Sequence, residues 1–149
     1  MTGYFRTVEI LLPCKPMSKP RPRRSANGGV FMPAAYREWS DAIELEALSQ
    51  HQGEPLTGPV QMSLIVAGPQ RGRYDLEGVF GAVADAISGS VRQQKPPVVL
   101  VDDSQIVCLE ARFEAAPTWL LSVTVRQVHA PDWETAAKAA RKAKKAVRP

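Results

Sequence analysis

Two acidic clusters, separated by one predicted helix and a short apolar run, most strongly constrain the fold and the kind of site that this chain can form. Asp75 and Glu77 stand at the start of the helix, and Asp102 and Asp103 follow the apolar residues 98–101. Carboxylates that lie close together repel one another unless they are protonated or bound to a cation. A hard divalent metal takes oxygen ligands, so the pattern predicts a magnesium site where these elements end.

The spacing of Asp75 and Glu77 restricts where the helix can begin. Side chains two residues apart share a face of an extended segment, but on a helix they diverge by roughly 200°. A site that uses both Asp75 and Glu77 therefore needs the strand-to-helix junction to fall between them. We predict a helix over residues 76–88 with Asp75 as its N-cap. The alternative, that these carboxylates only cap turns and contact water, stays open at this stage.

Hydrophobic periodicity predicts an α/β (α+β) domain, with a mixed sheet of four to five strands, two core helices and a basic C-terminal helix. Strands are expected at 7–12, 60–66, 105–114 and 119–128, with a short hairpin strand at 30–32, and residues 98–101 are expected to form a buried strand that delivers Asp102. The clearest helix covers residues 34–50. The residues expected on its core face are Tyr36, Trp39, Ile43, Ala47 and Leu48.

Length and charge divide the chain into a predicted domain at 1–130 and a basic helix or tail at 131–149. The net charge is +4, and residues 131–149 alone hold six Lys and Arg against two acidic residues. A second basic cluster, interleaved with prolines, runs from Lys15 to Arg24. Such clusters attract polyanions, most commonly nucleic acid. A disordered basic loop and a solvated tail are the alternative interpretations.

Several classes of function find little support. No apolar run approaches the roughly 20 residues that span a bilayer, and the N-terminus lacks the layout of a signal peptide. We therefore expect a cytoplasmic, nucleoid-associated protein. The two cysteines and two histidines are isolated, so neither a disulfide framework nor a nucleophilic triad is indicated.

The order of the motifs resembles one known family, the RusA-type Holliday junction resolvases, which are crossover junction endodeoxyribonucleases. The resemblance spans residues 7–128. It is carried by Lys19-Pro20-Arg21-Pro22-Arg23, by Asp75-Leu76-Glu77-Gly78, by Asp85-Ala86-Ile87 and by Asp102-Asp103-Ser104-Gln105-Ile106.

The resemblance implies a homodimeric endonuclease that uses Mg²⁺, or Mn²⁺, to cleave branched DNA in recombination and repair. Asp75, Glu77 and Asp103 would be the catalytic residues and metal ligands, with Asp102 as a neighbouring ligand. The backbone phosphates of DNA would be held by Lys19, Arg21, Arg23, Arg24, Arg71 and Arg73.

The chain departs from the family pattern at three positions. Glu77 replaces an Asp, Gly78 replaces an Asn, and Gly81 stands where the family has a Lys. A cation near the scissile phosphate stabilises developing negative charge, and its loss without replacement would cost about 3 kcal/mol. Three residues are candidates to replace it: Lys19, Arg71 and Arg73.

Two other functions remain open from the sequence. A catalytically weak or inactive binder of branched DNA on the same fold would explain Gly78 and Gly81, although the retained acids argue against it. A basic RNA-binding or assembly protein with purely structural acids is the more distant alternative.

Overall fold

A computed structural model describes residues 5–147, apart from the side chains of residues 133 and 147. The strands are β1 Thr7–Leu12, β2 Arg23–Arg24, β3 Val30–Phe31, β4 Val60–Gly68, β5 Ile106–Ala115 and β6 Leu120–Gln127. The helices are α1 Ala34–Gln50, α2 Leu76–Ile87 and α3 Trp133–Val147. The predicted α+β class, with a four-stranded mixed sheet and two core helices, is confirmed.

The main sheet has the strand order β1-β6-β4-β5, and a separate hairpin pairs β2 with β3. Strand β4 runs parallel to β5 and antiparallel to β6. A parallel pair needs a crossover connection, and α2 lies within it. The side chains of β4 alternate between buried and half-buried, with Val60, Met62, Leu64 and Val66 all facing the core, as predicted from their spacing.

Helix α2 is buried almost all round. Its buried residues are Val79, Phe80, Ala82, Val83, Ala84, Ala86 and Ile87. A helix that is apolar on most of its circumference belongs in the interior. The alanines flank the large side chains on both sides, and small side chains there let neighbouring segments approach the helix backbone.

Helix α1 covers the core with a narrower stripe. Tyr36, Ile43 and Ala47 are buried, and Trp39 packs partly against the core. The prediction that Leu48 faces the core is wrong, since its side chain is 44% exposed. One residue after Ala47 on a helix lies about 100° away, which takes Leu48 off the contact stripe in the last turn.

The first three residues of the apolar run 98–101 are buried, but the run does not form the predicted strand. Val98, Val99 and Leu100 are buried while Val101 is 45% exposed. The backbone N–H groups of Val99 and Leu100 both donate to the carbonyl of Ile87 at the end of α2. Leu100 forms only isolated bridges, with Leu56 and Ser88. The run is therefore tied to the helix rather than to the main sheet, and it still leads directly into the second acidic pair.

Helix α3 follows Asp132, whose carboxylate accepts hydrogen bonds from the backbone N–H and the hydroxyl of Thr135 at 2.9 and 2.7 Å. The predicted basic C-terminal helix is thus confirmed. Every residue of α3 whose side chain the structure describes is exposed.

Candidate functional site

Asp75 caps the first turn of α2. Its two carboxylate oxygens accept the backbone N–H groups of Glu77 at 3.2 Å and Gly78 at 3.3 Å. This is the expected role of an Asp with extended backbone before a helix, and it confirms the predicted N-cap. Asp75 and Glu77 are both exposed, and each carboxylate keeps further lone pairs for other partners.

The proline-rich basic segment docks on this same turn. The backbone N–H of Lys19 donates to the carbonyl of Gly78 at 3.1 Å. A Cβ at position 78 would lie 3.1 Å from the Cβ of Ser18 and 3.2 Å from an oxygen of Asp75. The glycine therefore permits an approach that a larger residue would push apart by a few tenths of an ångström.

This docking aims the Lys19 side chain along α2 toward Asp85. The ammonium of Lys19 lies 2.5 Å from the carboxylate Oδ2 of Asp85, and both side chains are partly exposed. Asp85 follows Gly78 by seven residues, about 10 Å along the helix axis, so Lys19 contacts both the first and the last turn of α2. By contrast, a Cβ at Gly81, between these points, would meet nothing within 4 Å.

The second acidic pair sits on a 3-10 turn that is anchored by one glutamine. The turn covers Asp103–Gln105, and Asp102 caps it by accepting the Ser104 backbone N–H at 2.8 Å. The side-chain oxygen of Gln105 accepts the N–H groups of Val101 and Asp102 at 2.8 and 3.0 Å.

The side-chain nitrogen of Gln105 reaches the loop that precedes β4. It donates to the carbonyls of Leu56 and Gly58 at 2.8 and 2.9 Å. One side chain thus fixes the acidic turn to a distant part of the fold.

The pKa values of the two carboxyl groups on this turn are shifted in opposite directions. The pKa of Asp102 is lowered, chiefly because it accepts the Ser104 backbone N–H. The pKa of Asp103 is raised, first by partial burial, then by its hydrogen bond with Asp102 and by the negative charge of Asp85, while Lys19 opposes this shift. Negative charge is thus crowded around Asp103, and an added cation would relieve it.

Asp103, Asp85 and Lys19 share one cavity of about 670 Å³. Its other walls come from α1, the β2–β3 hairpin and the loop after α2. The residues that line it are Lys19, Pro22, Val30, Phe31, Met32, Tyr36, Ser40, Asp41, Glu44, Asp85, Ser88, Gly89, Ser90, Gln93, Lys95, Asp102 and Asp103.

Lys95 is the cation of this cavity that the sequence did not reveal. Its ammonium donates to the carbonyls of Asp85 and Ala86 at 2.5 and 3.0 Å, and so caps the last turn of α2, where the Asp85 carbonyl also accepts the Ser88 N–H at 3.4 Å. Desolvation lowers its pKa, and the charges of Glu44, Asp85 and Asp41 oppose that shift. Lys95 lies eight residues after the end of the helix, and nothing in the neighbouring sequence predicts this contact.

The predicted metal ligands lie at two places, with Asp75 and Glu77 at the start of α2 and Asp102 and Asp103 at the 3-10 turn. Within residues 5–147, no group of three or more His, Cys, Asp or Glu side chains is placed to hold a metal ion. Glu77 precedes Asp85 by eight residues, which is about 12 Å along the helix axis. Asp102 and Asp103 lie with Asp85 at the cavity, whereas Asp75 and Glu77 lie at the first turn of α2.

The donor chemistry nevertheless fits a hard divalent cation. All four candidate ligands are carboxylates, and two of them are crowded together on the 3-10 turn. Mg²⁺ is usually bound by one or two carboxylates together with waters and substrate phosphates, rather than by a cage made only of protein. A complete set of three protein ligands is therefore not required before DNA arrives.

The predicted phosphate-binding cations lie in different surroundings. Arg23 and Arg24 form the exposed strand β2, and Arg21 and Arg73 are exposed. The guanidinium of Arg71 lies over the Phe113 ring, 5.2 Å from its centroid. Of the three residues named as replacements for the absent Lys, it is Lys19 that forms an ion pair with an acid of the cavity.

Comparison with known proteins identifies the family. The family profile described as Endodeoxyribonuclease RusA matches residues 13–126, so the chain belongs to the RusA endodeoxyribonuclease family. The family comprises endonucleases that act on Holliday junctions and generally depend on divalent metal ions. A search of curated proteins gives no match to this chain. Among the helices at residues 5–147, none is long and apolar enough to cross a membrane.

The anchoring role of Gln105 can be tested by truncating its side chain. Gln105→Ala removes four hydrogen bonds at a half-buried position. Since each contributes about 1 kcal/mol net, we expect the free energy of unfolding to fall by roughly 2–4 kcal/mol in urea denaturation. Gln70→Ala, in an exposed turn, is the control and should change it by less than about 0.5 kcal/mol. Equal effects of the two changes would contradict the assignment.

Proposed function

We propose that this protein is a metal-dependent, structure-selective endonuclease that resolves branched DNA by hydrolysing phosphodiester bonds. The observation that carries the proposal is the meeting of Lys19, Asp85 and the Asp102–Asp103 pair at one cavity in a member of an endodeoxyribonuclease family. Its proposed place of action is the cytoplasm, on the DNA of the nucleoid.

The proposed cofactor is Mg²⁺, with Mn²⁺ as a substitute, and the proposed ligands are Asp75, Glu77, Asp102 and Asp103. When bound, such an ion supplies a water of lowered pKa and offsets charge on the phosphate. The crowding of negative charge around Asp103 supports an ion there. The carboxylate of Asp75 is held in place by the two backbone N–H groups that donate to it. Its remaining lone pairs therefore have a fixed direction before DNA binds.

We propose that Lys19 replaces the lysine that the family has at the position of Gly81. Its ammonium lies on the Asp85 carboxylate at the cavity that contains Asp103. A fixed positive charge at such a place stabilises negative charge that develops on the phosphate oxygens during cleavage. Arg71 is a weaker candidate, because its guanidinium is already placed over the Phe113 ring.

The remaining proposed DNA contacts are to backbone phosphates. Arg21, Arg23, Arg24, Arg71 and Arg73 would supply cations around the site, and α3 would extend this surface. At 100° per residue, four cations of α3 fall on one face of the helix. They are Lys138, Arg141, Lys142 and Lys145.

We further propose that the protein acts as a homodimer, since a two-fold protein matches a junction with two equivalent strands to cut. Strand β5 supports this, because it stands at the edge of the main sheet. It exposes the apolar side chains of Val107 and Leu109 to 39% and 60%. Unpaired edge strands with exposed apolar residues are available for association with another chain.

A non-catalytic binder of branched DNA is the second candidate. Gly78 and Gly81 favour it, because both depart from the family pattern and Gly81 removes its cation. The retention of Asp75, Glu77, Asp102 and Asp103 favours the nuclease.

Cleavage of a labelled four-way junction tests the proposed function. With Mg²⁺ or Mn²⁺ we expect paired, symmetric nicks that EDTA abolishes. Asp103→Asn and Asp75→Asn each remove a ligand charge and should abolish cleavage while junction binding persists. Glu114→Gln, in the exposed pair with Arg112, is the matched control and should cut normally. Binding without cleavage under either metal would establish the non-catalytic binder instead.

The contribution of α3 is tested by the salt dependence of junction affinity. A full-length variant with Gln at positions 138, 141, 142 and 145 loses four cations without losing the helix. Because each phosphate contact contributes about 0.9 to the slope of log K against log salt, we expect the slope to become shallower by roughly 2–4. An unchanged slope would show that α3 does not contact DNA.

A further inference from the structure

The cavity at Asp103 carries more negative charge than its own lysines balance. Five carboxylates line it, and two lysines oppose them. The acids are Asp41, Glu44, Asp85, Asp102 and Asp103, and the lysines are Lys19 and Lys95. Like charges that share a space repel one another unless a cation lies among them, so the cavity favours a ligand with positive charge.

Two of these acids belong to α1 and lie outside any ion pair. Asp41 and Glu44 are three residues apart on that helix, about 4.5 Å along its axis, and both line the cavity. Among the residues that the structure describes, Lys19 pairs with Asp85 instead, and Lys95 donates to backbone carbonyls. Asp41 and Glu44 take no part in the proposed cleavage, so their charge is available to a separate ligand.

A buried hydroxyl at the end of α2 gives independent evidence of a missing ligand. Ser88 is the C-cap of α2, lines the cavity and is 4% exposed. Among the described residues its Oγ is a buried polar atom with no hydrogen-bond partner, although buried polar groups are almost always paired. The C-terminal end of a helix attracts positive charge, so the partner that fits this place is a cationic N–H donor.

The apolar wall of the cavity and the spread of its acids restrict the shape of that ligand. Val30, Phe31 and Met32 at the β2–β3 hairpin line the same space, together with Tyr36 of α1. Aliphatic chains pack on such side chains, and ammonium groups are attracted to the faces of aromatic rings. Within residues 5–147, no three acidic, His or Cys side chains are placed to hold one metal ion. A linear molecule with several ammonium groups joined by methylene chains matches this distribution better than a single compact ion.

We propose that this cavity binds a linear aliphatic polyamine of the charge of spermidine. The three charged nitrogens of spermidine equal the excess of acids over lysines in the cavity. One ammonium binds the carboxylates of Asp41 and Glu44, another donates to Oγ of Ser88, and the methylene groups pack on Phe31. The inference goes beyond the proposed function and does not depend on it, because this binding requires neither DNA nor a divalent metal.

Isothermal titration calorimetry of the full-length protein with spermidine, in metal-free buffer without DNA, tests the proposal. We expect saturation at a single site per chain. Putrescine, which has one charge fewer, should bind at least about threefold more weakly, on the scale of one exposed ion pair. Equal affinity for the two amines, or heat that does not saturate at a single site, would overturn the inference.

Matched variants locate the site. Asp41→Asn combined with Glu44→Gln removes two charges from the cavity and should weaken spermidine binding roughly tenfold or more. Ser88→Ala should weaken it roughly three- to tenfold, the net contribution of one hydrogen bond. Glu38→Gln removes an exposed charge of α1 that does not line the cavity, and it should bind spermidine as the wild type does.

Thermal unfolding gives a second readout for these variants. A ligand that binds only the folded chain raises its melting temperature, so saturating spermidine should stabilise the wild type and Glu38→Gln more than the variant at positions 41 and 44. Wild-type affinity and stabilisation in that double variant would place the amine elsewhere on the chain and overturn the inference. A wild type that cleaves junctions but does not bind spermidine would reject this site and retain the proposed nuclease.

Discussion

Helix α2 loses most of its contact with solvent on folding, since seven of its 12 residues are buried, and the candidate site is attached to it at both ends. Asp75 and the Lys19 segment contact its first turn. Lys95 and the run that delivers Asp102 contact its last turn. A helix held this firmly by packing provides a rigid support, and rigid supports position functional groups more accurately than loops do.

The two glycines of α2 have different consequences in this support. Gly78 lets the Ser18 side chain and the Lys19 backbone approach the helix closely, so the basic segment docks at the position where the resemblance places an Asn. Gly81 leaves open space at the position where the resemblance places a lysine. Lys19, in the basic segment that follows the family pattern, is held beside the helix by its ion pair with Asp85, which is the basis for its proposed role.

Local signals in the sequence were sufficient for much of this structure. The alternation in β4 and the position of Asp75 before an apolar helix are properties of neighbouring residues, and both predictions are confirmed. The exposure of Leu48 and the absence of a strand at 98–101 were not predicted. The first depends on how wide a stripe of α1 the core covers, and the second on the carbonyl of Ile87, which accepts the N–H groups of Val99 and Leu100.

The candidate site, like the fold, was only partly predictable from local sequence. The acids and the basic cluster were recognised from their motifs, and their roles as ligands and DNA contacts stay predictions. Neither the pairing of Lys19 with Asp85 nor the capping of α2 by Lys95 had a signal in the sequence. Both contacts join residues that are far from each other along the chain or separated by a loop, so they appear only when the fold is known.

The single-turnover rate of junction cleavage, measured at saturating protein, tests the central claim about Lys19 most directly. Lys19→Met should lower that rate by roughly 100-fold or more, on the scale of one lost electrostatic stabiliser, with only a small change in junction affinity. Adding Gly81→Lys, whose side chain enters open space one turn from both Glu77 and Asp85, should restore much of the rate. A Lys19→Met protein that cleaves at the normal rate would contradict the account.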